Sequence, residues 1–130
     1  RIIEVPFNCG SGAACASSLA RKLPSDTVVV AGSIVTTGDV DAAAVAGVTV
    51  ISCPHAAPWI LKRARWHGLL TIAGVLTVNE ALTALHHGAA ALAFQPVEQV
   101  TPEGLKHARR MLPKRAPIIA AWVDAPEAFA

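Results

Sequence analysis

The sequence predicts an α/β protein of parallel strands, and three features of its 130 residues carry that reading. Short β-branched runs alternate with Ala/Leu-rich segments of helical length along the whole chain. The runs are apolar almost throughout, as strands covered on both faces are. Strand starts at 48, 69 and 90 recur at 21-residue spacing, one β/α unit per repeat. Strands separated by a single crossover helix run parallel.

Strands are expected at Ile2-Phe7, Thr27-Val30 with a possible extension to Val35, Val48-Cys53, Leu69-Ala73, Ala90-Phe94 and Pro117-Val123. Helices fall between them at about 11–23, 38–46, 57–67, 78–87 and 102–112, with a last one beginning near 125. Gly47, Gly68 and Gly88 each close an Ala/Leu/Val-rich helix just before a strand. Thr77 and Glu80 form a Thr-x-x-Glu capping box, and Thr101-Pro102-Glu103 sets an N-cap before a proline at the first helical position. Pro6, Pro54 and Pro96 end three strands, where no further ladder donor is needed.

Two architectures fit six such units. A TIM-barrel type of parallel (β/α) repeat would have about six of its eight units here, since a complete barrel needs about 200 residues or more. The alternative is an open flavodoxin-like sheet, which 130 residues fill comfortably. The chain opens on Arg1 and enters an apolar run at once, and it stops just after the start of a helix, so residues 1–130 are expected to form one incomplete barrel domain of a longer protein.

Composition narrows the function. With 53% hydrophobic and 15% charged residues the chain is too apolar for disorder, and no apolar run reaches the roughly 18 residues of a membrane span. Eleven Lys+Arg against nine Asp+Glu, with three Trp, three Phe and no Tyr, offers no basic stripe interleaved with stacking rings, so neither nucleic acid nor membrane is an expected partner. Cys9, Cys15 and Cys53 are odd in number and lack C-x-x-C spacing, which fits a reducing compartment, the cytoplasm. Without H-x-H or H-E-x-x-H, no metal is expected, and no cofactor.

In either architecture ligands sit at the carboxyl ends of the strands. Glu4 is the most unusual residue there, because a carboxylate inside the apolar strand Ile2-Ile3-Glu4-Val5 must be paired or hold a raised pKa. It reads either as a proton shuttle or as a structural carboxylate bonded to a neighbouring loop. Cys53 and His55 have no orienting group in view and read as packing. His86 and His87 stand at a helix end, where a cation favours the dipole. Lys62, Arg63, Arg65 and the basic residues from His107 to Arg115 read as solvated. Trp59 and Trp66, seven apart on one helix, read as an apolar stripe, leaving Trp122 as the tryptophan able to line a pocket.

Several motifs together resemble the 2-keto-3-deoxy-6-phosphogluconate / 4-hydroxy-2-oxoglutarate aldolase family, more closely its 6-phosphogalactonate branch. Ile3-Glu4-Val5-Pro6-Phe7-Asn8 is similar to I-E-V-P-L-N, Ala31-Gly32-Ser33-Ile34-Val35 to G-A-G-T-V, and Ile51-Ser52-Cys53-Pro54 to I-V-S-P. The stretch from Ala73 to Glu80 resembles P-G-V-A-T-P-T-E, and that from Leu92 to Glu98 resembles L-K-L-F-P-A-E, with Gly104-Leu105-Lys106 following as in G-x-x-x-L-K. The resemblance implies a (β/α)₈ barrel, a homo-oligomer that is usually a trimer, and a keto acid or phosphorylated sugar acid as small-molecule partner.

In the family a lysine forms a Schiff base with the substrate ketone and a glutamate moves protons, so that C–C cleavage releases pyruvate and glyceraldehyde 3-phosphate. The iminium accepts the electron pair of the broken bond. By resemblance Glu4 is the glutamate, and Asn8, Ser33, Pro54, Thr77, Gln95, Ala121 and Trp122 contact substrate. The Schiff-base position falls on Ala93, and the glycine pair whose amides receive phosphate falls on Ala121-Trp122. Lys106 matches a family lysine that faces away from the mouth. Three readings follow: a working aldolase of this family, a divergent or non-catalytic member that binds a small keto acid or serves as an assembly module, and an unrelated open α/β ligand or regulatory module with its crevice where the strand order reverses.

Overall fold

A computed structural model describes residues 1–55 and 57–121. Its strands are β1 (Ile2–Pro6), β2 (Val28–Gly32), β3 (Val50–Cys53), β4 (Leu70–Val75), β5 (Ala91–Phe94) and β6 (Ile118–Ala120). The helices between them are α1 (Gly12–Lys22), α2 (Thr37–Val45), α3 (Pro58–Trp66), α4 (Val78–His86) and α5 (Pro102–Met111), with a 3-10 turn at Val97–Gln99. The last strand was expected to reach Val123 and a helix to begin near 125; both expectations run into residues outside those described.

All six strands are parallel, in the order β1-β2-β3-β4-β5-β6. That order has no reversal point and overturns the flavodoxin-like alternative, in which the chain doubles back within the sheet. Sequential right-handed crossovers put every helix on one side, and the result is a half-barrel.

The helix side holds the core. Val5, Ala31, Ile51 and Cys53 pack with α1 to α3 through Ala16, Val40, Ala43, Ile60 and Ala64. Ala73, Val75, Leu92 and Phe94 form a second cluster with Ala81, Ala84 and Ala108 of α4 and α5. Small alanines on the buried helix faces bring the helices close to the sheet, so large side chains are needed mainly on the strands.

The helix ends follow the sequence signals. Gly47, Gly68 and Gly88 have φ of 82°, 72° and 95°, the left-handed turn that stops a helix. Thr77 Oγ1 accepts from the Glu80 amide at 3.2 Å while Glu80 Oε2 accepts from the Thr77 amide at 2.9 Å. A second capping box, unread in the sequence, joins Thr36 and Asp39. Its Asp in place of Glu or Gln hid it from the usual pattern.

Helices α2 and α3 are tied by Asp41, which accepts from Arg63 Nε at 2.7 Å and Nη2 at 3.0 Å, with His67 Nε2 also 2.7 Å away. These hydrogen bonds hold the Asp41 carboxyl down at about 2. A depressed carboxyl stabilises the fold above its unfolded-chain value near 4, and that contribution drains as pH falls toward 2. Asp41→Asn is therefore expected to lower the melting temperature at pH 6 and to flatten its decline between pH 4 and 2, read by thermal melts across that range. An unchanged acid slope would show that the fork does not hold the two helices.

Candidate active site at the strand ends

Register decides which side chains share the face away from the helices. Glu4 pairs with Val30, Val30 with Val50 and Val50 with Leu70. On β4, Ile72 pairs with Ala91 and Gly74 with Ala93. Paired residues of parallel strands point the same way, as do residues two apart, so Glu4, Gly32, Ser52, Gly74 and Ala93 all lie on the inner face.

Height along the strands agrees too. The row of Glu4 meets β4 at Leu70, whereas Ala93 meets it at Gly74, four residues further on. The strands climb by the same amount: β1 is centred on Glu4 and β5 near Ala93, four strands away. An eight-stranded barrel staggers by about one residue per strand, and that stagger brings such residues into one layer.

Glu4 lies over a glycine. A Cβ on Gly32 would overlap Glu4 Cγ, Cδ and Oε1, so the carboxylate rests on the bare backbone of β2. Desolvation raises the Glu4 carboxyl above its usual range even though the side chain reaches solvent. No loop hydrogen bond to Glu4 is seen among the described residues, which leaves the structural-carboxylate reading without support. Gly74 plays a similar part: the Gln95 amide nitrogen and the Pro54 carbonyl, 2.6 Å from where a Cβ would stand, occupy its missing side chain's space.

Beside Gly74 is a cleft of about 110 Å³ lined by Pro54, His55, Gly74, Leu76, Glu80 and Gln95; Glu4, Gly32 and Ala93 share the inner face but do not line it. Pro54 and Gln95 both line it. Ser33, directly after β2, takes a φ of 57°, and Asn8 stands exposed after β1. Thr77 borders the mouth, but its hydroxyl is engaged with Glu80 in the cap of α4. The Ala121 amide donates to the Phe94 carbonyl at 3.0 Å, and Trp122 lies outside the described residues.

Cys53 packs as read, while His55 does not. Cys53 faces the helix core, and burial pushes its thiol up to about 12, so it supplies no thiolate to exposed His55. His55 instead lines the mouth and meets Trp59 edge-on, ring centroids 6.5 Å apart. Lys106 sits on the exposed side of α5 with Glu103 at 3.5 Å.

Comparison with known proteins follows this geometry. Residues 1–113 match the family described as KDPG and KHG aldolase. The chain belongs to that family. It is 31% identical over 111 residues to a probable 2-dehydro-3-deoxy-6-phosphogalactonate aldolase of Rhizobium meliloti (strain 1021), covering 85% of this chain and 52% of the relative. It is 27% identical over 128 residues to 2-dehydro-3-deoxy-6-phosphogalactonate aldolase of Escherichia coli (strain K12), covering 98% and 62%. A solved structure of native KDPGal superposes with a TM-score of 0.84 at 27% identity, covering 88% of this chain and 56% of that one. The chain of this aldolase-family member thus spans little more than half the length of these relatives.

The contact between Glu4 and Gly32 gives a direct test. In Gly32→Ala the new methyl group takes the carboxylate's place, so Glu4 should swing into water and titrate nearer the ordinary carboxylate range. Carbon-detected NMR of the Glu4 carboxyl would follow it, and an unmoved titration would refute the placement.

Proposed function

We propose that this chain forms the keto-acid-binding mouth of a divergent aldolase, one that holds its ligand without a covalent imine. The observation that supports this most is Ala93. By the resemblance of Leu92-Ala93-Phe94 to the family pattern it takes the Schiff-base lysine's position, and it lies buried on the inner face of the sheet with Glu4. A methyl group cannot attack a carbonyl. Without an iminium to take up the electron pair, cleavage of the sugar-acid carbon chain loses its sink, and loss of an obligatory nucleophile costs several orders of magnitude in rate.

Glu4 keeps the other half of the machinery. A carboxyl raised by desolvation holds a proton to higher pH and suits proton exchange beside a carbonyl. In this reading Gln95 supplies an amide donor to the ligand, while Asn8 and Ser33 line the entrance. In this reading the ligand is a small keto acid rather than a long phosphorylated chain. The Ala121 amide, already donating to Phe94, supports the same preference, since the family's phosphate is received by amides at that pair. The chain's relatives are aldolases of a 6-phosphogalactonate derivative, so retro-aldol cleavage of a 2-keto-3-deoxy-6-phospho sugar acid remains the parent reaction. By the same kinship we assign a cytoplasmic homotrimer.

Borohydride reduction in the presence of pyruvate separates the two mechanisms. The wild-type chain should gain no adduct mass, and Ala93→Lys should gain a reduced pyruvate adduct that maps to residue 93. A mapped adduct in the wild-type protein would overturn the non-covalent reading. Pyruvate should still shift the Gln95 side-chain amide resonances of the wild type; if it leaves them unmoved, the keto-acid mouth is wrong as well.

A further inference from the structure

Trp59 does not lie in an apolar stripe. It is 62% exposed and Trp66 is 71% exposed, so neither is core. Trp66 instead stacks under Arg63, whose guanidinium lies 4.5 Å from the ring centroid. Trp59 stands free of that pair, at the junction of two depressions on the outer surface between α3 and α4.

The lower depression, about 400 Å³, has an unusual lining: the ring of Pro58, the indole of Trp59, and Lys62, Arg65, His86 and His87. Among the described residues no carboxylate borders it. Trp59, Lys62 and Arg65 follow one another at three-residue spacing on α3, so the ring and both cations share one side of the helix. His86 and His87 come from the end of α4, their rings 5.3 Å apart. Arg65 reaches across the gap, its Cδ 4.0 Å from where a Cβ on Gly88 would stand.

Converging like charges repel unless an anion joins them. The neighbouring Arg63 is neutralised by Asp41, yet among the described residues neither Lys62 nor Arg65 forms an ion pair. An exposed indole beside those cations adds a flat surface on which a heteroaromatic ring can stack. The volume lies inside the range of small-molecule sites. An acidic peptide would answer the charge, but a compact recess with one aromatic wall suits a single ring carrying clustered negative charge.

We propose that the groove between α3 and α4 binds a nucleoside diphosphate, its base stacked on Trp59 and Pro58 and its phosphates held by Lys62 and Arg65 with His86 and His87. This site is separate from the strand-end mouth and does not depend on what binds there.

The test uses isothermal titration of the full chain with ADP, adenosine, inorganic pyrophosphate and a poly-glutamate peptide. ADP should bind, and more weakly as salt rises. Lys62→Glu/Arg65→Glu should weaken ADP at least tenfold. Trp59→Ala should weaken ADP several-fold while leaving pyrophosphate unchanged. All three side chains point to solvent, and circular dichroism confirms that the variants fold. The proposal falls if ADP gives no saturable binding in the millimolar range. It also falls if the double variant binds ADP as tightly as the wild type, or if pyrophosphate or poly-glutamate alone matches ADP.

Discussion

Every strand crosses to the next through one right-handed helical connection, and that constraint sorts the sheet's two faces. With all five helices on one side, alternate residues of each strand are committed to the apolar layer: Val5, Ala31, Ile51, Cys53, Ala73, Leu92 and Phe94. The residues between them are released from the core, and Glu4, Gly32, Ser52, Gly74 and Ala93 occupy those places. A slip of one residue in any strand would drive Glu4 or its neighbours into the helix layer. The same packing that stabilises the half-barrel therefore fixes which side chains share the inner face.

The inner face is crowded because the sheet is curved, and small residues make room on it for functional groups. Gly32 gives its space to the Glu4 carboxylate, and Gly74 gives its space to the Gln95 amide and the Pro54 carbonyl. Neither glycine has a positive φ, so what requires glycine at both is close approach rather than backbone freedom.

Much of this was legible in the sequence because it rests on local patterns. The three helix-ending glycines and the Thr77 capping box act within a few residues and are found where expected, and the repeating strands begin at Val50, Leu70 and Ala91, one or two residues after the starts read at 48, 69 and 90. The order of strands is a non-local property, yet sequential crossovers leave few choices, and the family resemblance selected the correct one. What stayed hidden depends on register and helix phase. Nothing in the string Ala31-Gly32-Ser33 says that the carboxylate of another strand lies on Gly32, since that contact follows from the pairing of Pro6 with Gly32. Seven-residue spacing suggested buried tryptophans on α3, but the buried stripe of that helix is Ile60, Leu61 and Ala64, and the indoles fall on the opposite side. Three apolar residues close together outweighed two large ones far apart.

On the proposed reading, in which Ala93 and Gln95 take the places of a family lysine and phenylalanine, the two positions act together. Gly74 pairs directly with Ala93, and the Gln95 amide lies over Gly74, next to the space a side chain longer than Ala93 would enter. A lysine at 93 would have to run its stem past that amide, and a phenylalanine at 95, as in the family pattern, could not place a donor there. Ala93 is itself buried, and glutamine at 95 presents a neutral hydrogen-bond donor on the cleft beside Gly74. On that proposal the pair would exchange a nucleophile backed by an apolar ring for a methyl group beside an amide. A ligand carbonyl or carboxylate would then be held through a hydrogen bond rather than a bond to nitrogen, while Glu4 on Gly32 keeps its desolvated carboxyl on the same face.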